Sequence, residues 1–224
     1  MKKIFFIKSF LILIALTGYA QVDIPDSLLT APQIKTFIKD GNVFVTLTNG
    51  TQKQLTFTRS DERPFVLKSV NKILFIRNEN VVKGDAEYTR KKIMTVDVNS
   101  FEEETIADAK PYKDGADNTY EIMKVENPCL SIDEGSLFFI TPHTSTTHQL
   151  VKLDLDTKKW NQLFSAESFE LIRTGQFAGC FLVGQFEIGT RGKGIYYYML
   201  DSQAKRLKEF ADKEAMEQFK KAVQ

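Results

Sequence analysis

Four stretches of the chain share one pattern, an extended run, a polar turn and a second extended run. They are VFVTLTNGTQKQLTF with its turn at Asn49-Gly50, KIMTVDVNSFEEETI at Asn99-Ser100, LVKLDLDTKKWNQLF at Asp156-Thr157 and YYYMLDSQAKRLKEF at Asp201-Ser202. In the third, Leu153 and Leu155 alternate with Lys152 and Asp154, the period of a half-buried strand. Asn, Asp, Gly and Ser break each run because they bond their own backbone or tolerate left-handed conformations. Counted between Asn49, Asn99, Asp156 and Asp201, the spacings are 50, 57 and 45 residues. A unit of that length that repeats one hairpin points to propeller blades rather than a single sheet.

The segments upstream of the hairpins keep the same register. NKILFIRN, GSLFFITP and GCFLVGQF are dense apolar runs, as strands covered on both faces should be. RPFVLKS, NPCLSID and SFELIRT precede them and read as inner strands. The segments ENVVKGDAEYTR, HTSTTH and EIGTRGKG read as variable polar loops. Three units thus have four strands each, and the first, with QIKTFIK, NVFVTLT and KQLTFT, is incomplete.

The segment from Leu130 to Phe164 resembles the repeat of TolB-like propellers and of the dipeptidyl-peptidase-IV-like N-terminal propeller. Ser131, Asp133, Leu137, Phe139 and Asp154 to Thr157 carry the resemblance, and Glu134 adds one residue before Gly135. It implies a propeller fold and no active site, because in those peptidases catalysis belongs to a separate hydrolase domain. The expected fold is all-β: a small β-propeller of about four blades over residues 33–211, enough to close a ring, which takes ~4–8 blades. An antiparallel β-barrel or sandwich is the alternative. In residues 212–224, Met216, Phe219 and Val223 share one helical face and Asp212 can cap it, which predicts a short C-terminal helix packed on the outside.

The N-terminus combines Lys2, Lys3 and Lys8 with the apolar run Phe10 to Leu16 and the small residues Gly18 and Ala20. This is the pattern of a secretory signal peptide over residues 1–20, cleaved near Gln21, and the run is too short for a spanning helix of ~20 apolar residues. The expected location is periplasmic or extracellular, with no membrane span. Residues 21–32, with Pro25 and Pro32, read as an extended arm. The whole chain has 30 basic and 29 acidic residues; without Lys2, Lys3 and Lys8 the balance is 27 to 29, or −2. Such a charge gives no general pull on nucleic acid. Cys129 and Cys180 are readable either as a disulfide or as two buried thiols.

Catalytic patterns are not evident. His143 and His148 flank TSTT without a neighbouring acid or cysteine, so a solvated loop is expected there in place of a metal site. Arg191 and Lys193 lie among glycines in EIGTRGKG, but Thr190 stands where a phosphate loop needs lysine. Asp154 and Asp156 fit turn capping as well as calcium binding. Trp160, the single tryptophan, sits where the second unit has Glu103 and the fourth Lys205, so partial burial is expected against a neighbouring loop or the C-terminal helix. The candidate ligand or partner contacts are therefore Arg191, Lys193, Trp160, His143 and His148, with no catalytic residue and no cofactor. The function they suit is a secreted, non-enzymatic module that binds a protein, peptide or glycan. The alternative is a small propeller-type hydrolase or lyase acting on a carbohydrate.

Overall fold

The computed structural model describes residues 34–108, 112–113, 119–120, 124–142, 147–189 and 192–223. Within Ile34–Gln224, which forms one compact unit, the strands fall into successive antiparallel sheets. The first has three strands, β1 (Lys35–Lys39), β2 (Asn42–Thr46) and β3 (Gln52–Gln54). The second has four: β4 (Asp61–Leu67), β5 (Lys72–Lys83), β6 (Ala86–Asp97) and β7 (Glu103–Ala107). A short pair follows, β8 (Tyr112–Lys113) and β9 (Thr119–Tyr120). The third sheet is β10 (Glu126–Leu130), β11 (Ser136–Pro142), β12 (His148–Asp154) and β13 (Trp160–Ser165). The fourth is β14 (Ser168–Leu171), β15 (Phe181–Gly189), β16 (Gly192–Leu200) and β17 (Arg206–Phe210), and the helix α1 (Lys213–Val223) follows it. Each sheet is an in-order meander, the construction of a propeller blade.

Register explains why the apolar runs are continuous. Successive side chains point to opposite faces of a strand. Ile73 and Phe75 therefore pack back on blade 1 with Val43, Val45 and Leu55, while Leu74 and Ile76 pack forward on Leu137, Phe139 and Leu153 of blade 3. Phe138, Ile140 and Leu150 continue forward to Phe181, Val183 and Tyr198 of blade 4. The buried ion pair of Arg77 with Asp61 lies at the blade 1–blade 2 junction, and Arg77 also bonds Glu103. Burial alone disfavours the Arg77 charge, but bonds from Glu103 and Asp61 outweigh it and hold the guanidinium pKa above its ordinary value.

The tight turns are capped by aspartate. Asp97 Oδ1 accepts bonds from the Asn99 and Ser100 amides, Asp154 Oδ1 from Thr157, and Asp201 Oδ1 from Gln203 and Lys205. The equivalent positions are thus Asp97, Asp154 and Asp201. Asp156, which the hairpin spacing selects, stands two residues past the cap of its turn.

Ring closure is the expectation that the structure corrects. The forward face of blade 4, with Leu182, Met199 and Phe210, is covered by Met216, Phe219 and Val223 of α1. The helix takes the place that a closing blade would occupy, so the four blades form an open stack. Ala215 N–H bonds Asp212 Oδ1 at 2.8 Å, the expected N-cap. Gly175, at φ +76°, allows the end of α1 to approach, since a Cβ there would lie 2.7 Å from the Val223 carbonyl oxygen.

Candidate functional site

In a four-stranded meander alternate connections lie at opposite ends. The turns capped by aspartate in blades 2 to 4, and by Asn49 in blade 1, share one end. The hairpin turns β1–β2, β5–β6, β11–β12 and β15–β16 open at the other, together with the crossovers between blades. Hydrogen bonds agree with this division: Asp61 N–H donates to the Gly41 carbonyl at the hairpin end, and Lys68 N–H to Glu134 Oε2 at the capped-turn end.

Two hairpins project at the first of these ends. Strands β5 and β6 pair in register from Lys72↔Asp97 to Lys83↔Ala86, and β15 and β16 from Phe181↔Leu200 to Gly189↔Gly192. The polar loops expected in ENVVKGDAEYTR and EIGTRGKG are therefore largely strand. Most of their described residues are exposed or only partly buried, so no apolar alternation marks them as strand in sequence. Val82 (71% exposed) and Ile188 (78%) sit near the two tips, and Phe57 (73%) lies in the crossover from β3 to β4. These are the three most exposed large apolar side chains among the described residues, and all lie at the hairpin end. Sequence reasoning missed them; Val82 and Ile188 lie within two residues of a turn glycine, and nothing comparable marks Phe57.

Of the sequence-predicted contacts, Lys193 is the second residue of β16 in the projecting hairpin, its Nζ 5.6 Å from the Phe186 ring centroid. Arg191 falls in the chain between β15 and β16, and His143 between β11 and β12; both lie outside the described residues. His148 begins β12 at the same end. Its Nδ1 lies 2.7 Å from Glu167 Oε2, in the crossover to blade 4. Glu167 Oε1 is buried without a hydrogen-bond partner among the described residues. Beside this pair, Gln185 Nε2 donates to the Ser165 carbonyl at 2.7 Å, and Glu187 accepts from Arg206 and from the Tyr198 hydroxyl. Burial, then the bond to Glu187, pushes the Tyr198 phenol pKa up. The blade 3–blade 4 junction thus carries a polar cluster with an imidazole–carboxylate pair, half exposed. Among the described residues no group of three His, Cys, Asp or Glu is placed to hold a metal ion.

Trp160 belongs to the opposite end. It pairs with Leu153, as Glu103 pairs with Val96 and Arg206 with Leu200. The fourth-unit equivalent is therefore Arg206, not Lys205. The indole is half buried, edge-on to Phe139 with centroids 5.3 Å apart, against the blade 2–blade 3 core. Its cover is the blade itself, not the C-terminal helix. Cys129 and Cys180 are free, partly buried thiols in blades 3 and 4.

No family model matches the chain, and no curated protein does. Solved structures similar to it include Porphyromonas gingivalis dipeptidyl peptidase 4, with 11% identity, a TM-score of 0.52, and coverage of 80% of this chain and 31% of that one. TolB from Acinetobacter baumannii shows 16% identity, a TM-score of 0.49, and coverage of 80% and 41%. The β-propeller domain of the trilobed protease from Pyrococcus furiosus shows 11% identity, a TM-score of 0.41, and coverage of 67% and 42%. The chain spans less than half the length of each. At such identities the likeness is one of fold: the chain is an all-β protein of three- and four-stranded blades, similar in fold to part of the dipeptidyl peptidase structure.

Proposed function

We propose that the chain is exported, after signal-peptide cleavage near Gln21, and acts as a binding module of the cell envelope. Its hairpin end contacts a protein, peptide or glycan partner. The observation that carries this reading is the gathering of Phe57, Val82 and Ile188 at one end of the blade stack. Exposed apolar side chains grouped on projecting loops mark interaction surfaces more often than scattered ones do. Lys193, on the same hairpin as Ile188, adds a cation to the surface. The reading needs no cofactor, nucleic acid or membrane span, and among the described residues no helix is long and apolar enough to cross a membrane.

Immobilised wild-type protein, a V82S/I188S variant and an I132S variant, altered at the capped-turn end, should be offered an envelope extract and a glycan array. Partner capture should fall with V82S/I188S only. Equal capture by that variant would refute the reading. N-terminal sequencing of the exported protein should begin near Gln21; residues 1–20 retained in a membrane fraction would refute export.

The second reading, a small propeller-type hydrolase or lyase acting on a carbohydrate, is favoured by one observation, the His148–Glu167 pair. An imidazole oriented by a carboxylate is equipped for proton transfer. Saccharide cleavage abolished by His148→Ala at unchanged stability would replace the binding reading with this one.

A further inference from the structure

The outer face of blade 1 differs from every other blade face. Alternation turns Lys35, Phe37 and Lys39 of β1 away from blade 2, opposite Thr46, Phe44 and Asn42 of β2. Phe37 and Phe44 stack there with centroids 5.4 Å apart. Toward the hairpin end the face opens into a hollow of about 620 Å³, lined by Lys39, Asn42, Phe44, Gln54, Phe57 and Arg59, with Asp40 on its rim. Lys35, Lys39 and Arg59 make no ion pair among the described residues, whereas most other cations near a blade junction do: Lys72 with Glu104, Arg77 with Asp61, Lys91 with Glu62 and Lys220 with Glu170. With Asp40 as the one carboxylate, the face carries an excess of two positive charges.

Hydrogen-bond bookkeeping decides what this surface suits. A saccharide site needs side-chain amides and carboxylates free to meet hydroxyl groups. Here Asn42 is used twice within the fold, its Nδ2 donating to the Asp40 carbonyl and its Oδ1 accepting the Arg59 N–H. Gln54 Nε2 is bonded to the Thr56 carbonyl. What remains for a ligand is aromatic surface from Phe44 and Phe57, the Asp40 carboxylate and Gln54 Oε1 as acceptors, and positive charge from Lys39 and Arg59; the excess of positive charge favours a ligand that brings carboxylates over a neutral saccharide. The like charges also oppose self-association through this face. We propose that the outer face of blade 1 docks an acidic segment of a protein partner, in which carboxylates alternate with apolar side chains. The apolar groups cover Phe44 and Phe57, and the carboxylates meet Lys39 and Arg59. The proposal rests on the binding reading and names the partner's chemistry.

The test is fluorescence polarisation with the full-length exported chain and a short labelled peptide alternating Asp with Phe and Leu. Peptides with Asn or Lys in place of Asp, and a uronate oligosaccharide, serve as comparisons. The Asp peptide should bind, weaken as salt rises from about 50 to about 300 mM, and lose about tenfold or more with K39E/R59E. Both side chains are exposed, and Asn42 holds only the Arg59 backbone, so this variant leaves the fold's own bonds intact. Phe57→Ser should weaken binding severalfold, and Lys159→Glu, exposed in the β12–β13 turn at the opposite end, should leave it unchanged. Equal binding of the Asn peptide, wild-type affinity in K39E/R59E, or preference for the uronate would overturn the proposal. So would a dimer abolished by K39E/R59E, or a cross-link from Lys39 into the chain's own first residues. Failure of the peptide while V82S/I188S still abolishes envelope capture would sink this proposal alone; capture indifferent to both variants would sink the binding reading with it.

Discussion

Phe219→Ala is the substitution that isolates the helix cap. The Phe219 ring lies 5.3 Å from Phe210 and 5.5 Å from Phe177, centroid to centroid, and Lys208 Nζ is 4.2 Å from its centroid. A fully buried Phe→Ala costs ~3–5 kcal/mol. Phe219 is only partly buried, so about half of that applies, roughly 1.5–2.5 kcal/mol. Eleven residues are too few for a helix to persist alone, since isolated helices below ~12–15 residues are marginal. Undocking and helix loss should therefore coincide. The assay is denaturant unfolding followed twice, by far-UV circular dichroism and by Trp160 fluorescence, which reports on blade 3. The helical signal should be lost first in the variant, with dye binding to the uncovered Leu182, Met199 and Phe210. A shift below ~0.5 kcal/mol, the range of ordinary surface substitutions, would mean that α1 does not cover blade 4 and that the open stack is wrong.

Two further outcomes follow from the blade structure. Trp160→Ala should cost ~1–3 kcal/mol and Phe139→Ala, fully buried beneath it, ~3–5 kcal/mol; equal melts for wild type and Trp160→Ala, with indole emission like that in water, would place Trp160 in solvent. The carboxyls of Asp97, Asp133 and Asp154 are held below their ordinary value of 3.8, Asp97 by the Ser100 and Asn99 amides, Asp133 by the Ser131 hydroxyl and Gly135 amide, and Asp154 by the Thr157 amide and hydroxyl. A depressed folded-state pKa stabilises the fold above the unfolded value, and that contribution is lost as pH falls through the folded one. The melting temperature should drop as pH falls below about 4, and Asp154→Asn should shrink that drop; an unchanged acid profile in this variant would refute the capping role.

The sequence made the blades legible because their cores are read locally. Ile73 to Ile76, Leu137 to Ile140 and Phe181 to Val183 are apolar on both faces, since each blade is packed between two neighbours. What sequence did not disclose depends on contacts between blades or on the absence of contacts. His148 meets Glu167 only through the crossover from blade 3 to blade 4, nineteen residues on. The outer halves of β5 and β6 carry no apolar period because their described residues are at most partly covered. Trp160 was placed correctly on the side shared with Glu103, but its cover, Phe139, lies on β11, two strands away in the sheet order. The candidate surface was the least legible part, since exposure of Phe57, Val82 and Ile188 is a property of the assembled stack.

An open stack of blades faces the problem of any repeat array: its end units each have a face without a neighbour, and a soluble array needs those faces made polar or covered. The two ends here solve it differently. On blade 1 the aromatic pair Phe37–Phe44 survives where a buried column would run, but Lys35, Lys39, Thr46, Gln52 and Gln54 surround it, so the face can meet water. On blade 4 the corresponding positions stay apolar, with Leu182 and Met199 paired across β15 and β16 and Phe210 on β17, and that face requires α1. The difference has a consequence for binding. A covered end is spent on stability, whereas a polar end with a retained aromatic pair is stable in water and still able to dock a partner. On the docking proposal, the asymmetry of the caps is what leaves blade 1, rather than blade 4, with an aromatic face open to a partner.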